Sequence, residues 1–435
     1  MSSSFLRRLA AVAGLAATLS LPALPPARAA TPEETAARLE ALGVTVGGRK
    51  PSAADLGEVS MVTLHGDRAR GLTDADCAMF AALPKLRLVA LSGAKLSRTC
   101  LAAVAAAPGL ATVSLATTEI ERGSLAALAA ASALESIQLS DVRGIAPEDL
   151  GALAGLRGLR QFILGYTLTP VGRTAWFDDR ALLEIARLAK VETLTLTRVR
   201  ATATGIAALA AMPALRDLTL DRGQFGEDAL EPLAGSRLVT LKLSENVRIG
   251  PRLPAIVSRI ATLRRLDVSS TAIGGNLAPL AGMPRLDTFD ASYTLLTRDD
   301  LAVLGAVPAL TQVTVNDVLG VDDAGMRALA ASKTLRSVAL SRTMVTDAGL
   351  AALLAVPTIR TVYAADNAVT DAAVAKAAGS RIANLDLSNS DIGDAGLAAL
   401  AELPDLGSVS LRNTAITDAG IAAAKAKRPN FNVYR

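Results

Sequence analysis

The chain has 435 residues, with 45 Lys and Arg against 41 Asp and Glu, and a formal net charge of +4 that is too small to mark a nucleic-acid-binding protein. Apolar residues make up 51% and aromatics only 3%, which excludes a disordered chain and suits small recurring core positions better than one bulky core. A single His and two Cys leave little for His-dependent catalysis or a Cys-rich metal site.

In chain order, the first 29 residues read as an export signal. Arg7 and Arg8 form a charged start, Leu9 to Leu21 an apolar run, and Ala27-Arg28-Ala29 a small-residue cleavage site. Removing it takes away Arg7, Arg8 and Arg28 and no acid, leaving a net charge of about +1. The expected location is therefore periplasmic or extracellular. No later stretch reaches the roughly 20 unbroken apolar residues of a membrane span.

Residues 30–58 read as a capping segment. Thr31 and Pro32 open a helix over Glu33 to Leu42, and Gly43 ends it. From Val59 onward the chain repeats. The unit is clearest at Leu335 to Pro357, where Leu335, Val338 and Leu340 fit a short strand, and Val345, Leu350 and Leu353 follow at helical spacing. Thr346 and Asp347 stand at the start of that helix, where their oxygens can accept its unpaired first-turn amides. The first position of the unit recurs at Val59, Leu86, Leu110, Leu134, Leu159, Val191, Leu215, Leu238, Leu263, Leu286, Leu310, Leu335, Ile359, Ile382 and Leu406. Phe431 and Val433 read as a last partial strand.

The spacing of about 24 residues falls in the leucine-rich repeat range. Copies such as VTDAGLAAL at Val345 to Leu353, IGDAGLAAL at Ile392 to Leu400 and ITDAGIAAA at Ile416 to Ala424 make the chain resemble a leucine-rich repeat protein. The subtype resembled reads T-D-A-G-L and is ribonuclease-inhibitor-like, of a kind met in bacterial secreted repeat proteins and in ubiquitin-ligase adaptors. The resemblance implies an α/β solenoid, or horseshoe, over residues 59–435, with a parallel sheet on the concave face and helices on the convex face. It also implies binding, without naming the partner. A lone unit cannot fold: about six buried apolar side chains supply some 10 to 20 kcal/mol, against roughly 36 kcal/mol for ordering about 24 residues. Neighbouring coils must supply the difference.

Alternation along each strand turns Ser337, Ala339 and Ser341 outward. The same phase gives a bland hydroxyl surface at Thr112, Ser114, Ser136, Gln138, Ser140, Thr193, Thr195 and Thr197. It then turns charged at Asp217, Asp221, Lys242, Arg265, Asp267 and Asp290, with Arg222 and Tyr293 just past their strands. These residues are the expected partner-docking zone; the alternative is that they simply solvate an open sheet and offset one another. One unit is longer: Leu159 to Val191 carries an insertion at residues 166–176 with Tyr166 and the only Trp, Trp176, read as either a rim contact for a partner or a loop-packing feature. Phe177 takes the core place after it.

His65 lies on the outward phase of the first strand with no nucleophile in sequence. Without G-x-S-x-G, H-E-x-x-H, Walker or G-x-G-x-x-G motifs, the reading is non-enzymatic, with no cofactor and no metal. Asp347, Asp371, Asp394 and Asp418 read as helix-start charges and not as calcium ligands. Cys77 and Cys100 sit at nearly the same phase of adjacent units, and either a disulfide or two buried thiols fits. The expected partner is another protein, with a cell-envelope polysaccharide as the alternative and nucleic acid disfavoured.

Overall fold

The computed structural model describes residues 31–435 except 47, 166, 169–173 and 176. The expected export signal at 1–29, Tyr166 and Trp176 lie outside the described residues.

Among the described residues sixteen strands form one parallel sheet in chain order, from Met61–His65 to Asn432–Tyr434. That order follows from the repeat, since each coil returns the chain to a point one strand further along. The register steps without slippage, as in Thr193 to Asp217, then Thr240, Arg265 and Thr288 on successive strands. Every first position from Val59 to Leu406 is buried. So are the middle residues of the strands, including Leu218, Leu241, Leu266, Phe289, Val313 and Val338. One continuous spine of apolar side chains therefore runs the length of the sheet.

The convex side is less regular than the repeat suggests. Asp347–Leu354 and Asp394–Ala401 are α-helices, as expected. Ser124–Ala130, Glu227–Leu233 and Ala278–Gly282 are instead 3-10 helices. Pro232 and Pro279 remove amide donors from two of these, and the third has Glu121 where other coils carry a Thr cap. A tighter, shorter turn results.

Thr370 and Thr417 cap their own helices, accepting from the Ala372 and Gly420 amides, but the pair at Thr346 and Asp347 behaves differently from the reading that its oxygens do so. Thr346 makes no side-chain cap to its own helix. Its amide and hydroxyl instead donate to Asp323 of the preceding coil at 2.8 and 2.7 Å. Asp347 in turn accepts from the Thr370 amide and hydroxyl, both at 2.7 Å. Asp394 accepts from Thr417 in the same way. At the entrance to the helices the coils are close enough for an aspartate to reach the next coil's amide, so Asp323, Asp347, Asp371 and Asp394 each close their successor.

Before the first strand, Pro32–Ala41 is an α-helix with Thr31 and Glu34 capping each other's amides. Leu39 and Leu42 bury themselves beneath it, and Arg38 donates to Asp76 at 2.7 Å. Cys77 and Cys100 are buried, and a disulfide joins them across a Cα separation of 5.1 Å. Facing helices would stand about 8 to 10 Å apart, but both cysteines lie near helix entrances, where Ser97 also donates to Asp74 at 2.5 Å. Within the insertion, Thr167–Leu168 pairs antiparallel with Thr174–Ala175, and Phe177 then returns to the core. Among the described residues no helix is long and apolar enough to cross a membrane.

Candidate functional site on the concave face

Four neighbouring strands place the charged residues together. Lys242, Asp267 and Asp290 are consecutive in one register row, Lys242 opposite Asp267 and Asp267 opposite Asp290. A parallel row holds Asp217, Thr240, Arg265 and Thr288. Asp221 ends its strand one position beyond this row pair. With strands about 4.8 Å apart, all six expected charges share one patch.

Each carboxylate is partly committed to local structure. Asp267 Oδ1 accepts from the Ser269 amide and hydroxyl at 3.0 and 2.7 Å, and Asp290 Oδ1 from Ser292 at 3.0 and 2.9 Å. Asp221 Oδ1 accepts from the Ser244 amide at 3.1 Å. These bonds end the strands and fix the carboxylates in place. Arg265 donates to Thr240 at 3.0 Å and stands 3.6 Å from Asp217. Between the rows lies a cavity of about 170 Å³ lined by Thr240, Lys242, Arg265, Asp267, Thr288 and Asp290. It is open to solvent and large enough for one long side chain.

The charges do not cancel. With Arg265 turned to Asp217, Lys242 alone faces Asp221, Asp267 and Asp290. Burial raises the Asp290 carboxyl above its ordinary value, against the bonds from Ser292; Asp267 adds repulsion and Lys242 opposes it. Asp221 is raised too, by burial first, with the Ser244 bond opposing and Asp267 adding repulsion. A carboxyl with a raised folded-state pKa binds more protons folded than unfolded. Its ionisation therefore costs stability as pH climbs from the ordinary carboxylate value through the raised one. Asp290→Asn keeps an acceptor for Ser292 and removes that charge. It is expected to raise the melting midpoint at pH 7, with the gain vanishing below the ordinary Asp pKa. Equal midpoints at neutral pH, or a gain that grows on acidification, would contradict the assignment.

At the edge of the patch Arg222 pairs with Glu245 at 2.8 Å. Tyr293 is 57% exposed and its hydroxyl accepts from Arg342 at 3.4 Å. His65 is exposed at the outward end of the first strand. Among the described residues no group of His, Cys, Asp or Glu could hold a metal ion.

Three features went unread in the sequence. Tyr363 lies further along the Lys242–Asp267–Asp290 row, and the same alternation that found Asp290 points to it. Arg342 bridges Tyr293 and Asp317, which spacing alone does not reveal. Asn246 is fully buried; in sequence it looks like any turn residue.

Stacked strand–turn–helix coils with a continuous apolar spine and an open parallel sheet define the leucine-rich repeat fold, and the chain is a leucine-rich repeat protein. The family model described as Leucine Rich repeat matches residues 384–401. A leucine-rich repeat protein of Leptospira interrogans is 12% identical with a TM-score of 0.51, over 88% of this chain and 97% of that one. TLR13 in a complex with ssRNA13 is 14% identical with a TM-score of 0.57, over 78% of this chain and 51% of that one. These likenesses are of fold. Among curated proteins, the methylenetetrahydrofolate–tRNA-(uracil-5-)-methyltransferase TrmFO of Trichormus variabilis is 33% identical over 91 residues. That stretch is 21% of this chain, and the chain spans only 19% of that relative's length.

Proposed function

We propose that the protein is an exported, non-enzymatic scaffold that binds another protein through the concave face around Asp221, Lys242, Arg265, Asp267 and Asp290. The observation that carries this reading is the concave patch around the cavity, where Asp217, Asp221, Asp267 and Asp290 outnumber Lys242 and Arg265, and where burial raises the Asp221 and Asp290 carboxyls. A partner's Lys or Arg entering it would pair with carboxylates already fixed by Ser269 and Ser292, so little ordering cost remains. The same surplus repels a phosphate backbone. Asp217 pairs with Arg265 of the cavity wall, Arg222 and Tyr293 lie just past their strands, and the insertion bearing Tyr166 and Trp176 belongs to a coil upstream on the same solenoid. Export rests on the Arg7 to Ala29 signal, and the Cys77–Cys100 bridge suits an oxidising compartment.

Replacing Asp221, Arg265 and Asp267 together by Ala is expected to abolish capture of the partner from envelope extracts while the far-ultraviolet spectrum is kept. Undiminished capture by a folded triple variant would overturn the concave-face reading. A second reading, an envelope polysaccharide, draws on Tyr363, Asp386, Ser410 and Tyr434, which share one register row. Binding on a glycan array that Tyr363→Ala and Tyr434→Ala remove would favour it.

A further inference from the structure

The edge of the solenoid where the strands turn toward the helices carries an apolar crest. Leu295 is 67% exposed, Leu319 80% and Met344 59%, on three consecutive coils. Leu295 and Met344 hold the same place in their coils, just before the buried Leu296 and Val345, and their amides donate at 2.9 Å to the Ile273 and Val321 carbonyls of the coils before; on the coil between, Gly320 holds that place and Leu319 stands one residue earlier. Single exposed apolar residues are ordinary, but three large ones on consecutive coils of one edge are not. The crest does not arise because the core lacks room. Leu296, Val321 and Val345 fill the inward positions beside it, so Leu295, Leu319 and Met344 are additional to the packing. On Leu319's coil the turn is one residue longer, Val315 to Val321 against Leu340 to Val345, and this lifts the leucine clear of the surface.

The flanks of the crest are acidic. Asp317 and Asp366 run along one side; Asp323 and Asp347 run along the other at the helix starts. Arg342 is the cation among them, and it is shared between Asp317 at 2.6 Å and Asp366 at 3.6 Å. Arg298 and Asp322 form a separate pair that leaves the balance unchanged. An anionic membrane surface and a second copy of the same crest would both meet like charge. A partner with cations beside apolar residues meets opposite charge.

Spacing selects the shape of that partner. Successive coils stand about 4.8 Å apart. An α-helix laid along the crest presents one residue of an apolar stripe about every 5.4 Å, close to one per coil. An extended strand presents same-side residues about every 6.6 Å and falls out of step by the third coil. We propose that Leu295, Leu319 and Met344 form a docking crest for a basic amphipathic helix of a partner protein. The crest seats the helix's apolar stripe, and the Asp317, Asp366, Asp323 and Asp347 carboxylates take the Lys or Arg residues bordering it. The surface lies outside the concave cavity and stands or falls apart from it.

The probe is a fluorescently labelled peptide of about 18 residues, five helical turns, with Leu along one face and Lys elsewhere. Its counterpart carries Glu at every Lys position, and binding to the purified protein is read by anisotropy. The Lys peptide is expected to bind at least about tenfold more tightly than the Glu peptide, with an affinity that falls as salt is raised. Leu319→Ser with Met344→Ser is expected to weaken the Lys peptide by about tenfold or more. Both positions are exposed, and an unchanged circular dichroism melt confirms that the double variant folds. Asp267→Asn with Asp290→Asn, in the concave cavity, is expected to leave peptide binding unchanged. Equal binding of the Lys and Glu peptides overturns the proposal, and so does full binding by the crest variant. Loss of binding in the concave variant alone moves the site to the cavity. Preferential binding of the protein to phosphatidylserine vesicles assigns the crest to a membrane surface and equally overturns it.

Discussion

Asn246→Ala is expected to destabilise the middle of the solenoid by about 4 kcal/mol, since each buried group left without a partner costs roughly 1 to 3 kcal/mol. Asn246 is fully buried, and its Nδ2 reaches the carbonyls of Leu220 at 2.7 Å, Leu243 at 2.6 Å and Ser244 at 3.2 Å. Its Oδ1 accepts from the Gly223 amide at 2.6 Å. The side chain thus satisfies backbone groups on two coils at once. Alanine leaves Leu220 O and Gly223 N without that partner in a space closed over by two coils. Because stability in a stacked array is a sum of coil and interface terms, loss at one interface weakens the coupling between the two flanking blocks. A urea melt of the variant is expected to broaden or split, with hydrogen exchange accelerated on both sides of residue 246. A loss below about 1 kcal/mol would mean that water replaces the amide and that the network is not structural. Asn246→Asp should be at least as damaging, since it keeps the shape, loses both donors and buries a charge.

Removing the bridge with Cys77→Ser and Cys100→Ser is expected to cost about 3 kcal/mol, from the loop entropy restored to the unfolded chain. The bond closes a loop across a sequence separation of 23. That cost falls on the first coils, which have few neighbours to share it, so their unfolding decouples from the rest. Limited proteolysis should then cut the double variant, or the reduced protein, between about residues 60 and 110 while the later coils resist. Identical digestion with and without reductant would show that the helix Pro32–Ala41 and its Arg38–Asp76 bond hold that end unaided.

The architecture was legible because one coil dictates all the others. Leu335, Val338 and Leu340 set a phase, and that phase placed Asp267 and Asp290 on the open face without further information. What escaped the sequence was contact across coils. The residue string shows Asp347 beside its own helix, but the amide nearest its carboxylate in space belongs to Thr370. Asn246 reads as a turn residue because nothing in its neighbours says that a second coil will close over it. Leu319 and Met344 sit one place from core positions, and the extra residue between Val315 and Val321 hides which side chain faces inward. The bridge between Cys77 and Cys100 was open for a related reason: average helix separation says little about helix entrances, where coils converge.

The aspartate that closes the following coil gives the stack a direction. From Asp323 onward a rung offers an acceptor forward and receives one from behind, as Asp323, Thr346, Asp347 and Thr370 do in sequence. Asp418, on the final helix, has its carboxylate engaged by Arg435 instead, at 2.6 Å. A whole rung duplicated within the run therefore brings its own socket and its own plug, and lengthening the array there asks for no new joint. At the opposite end the order of assembly is reversed, because a rung placed before the first must carry an acceptor that fits what already stands in front of it.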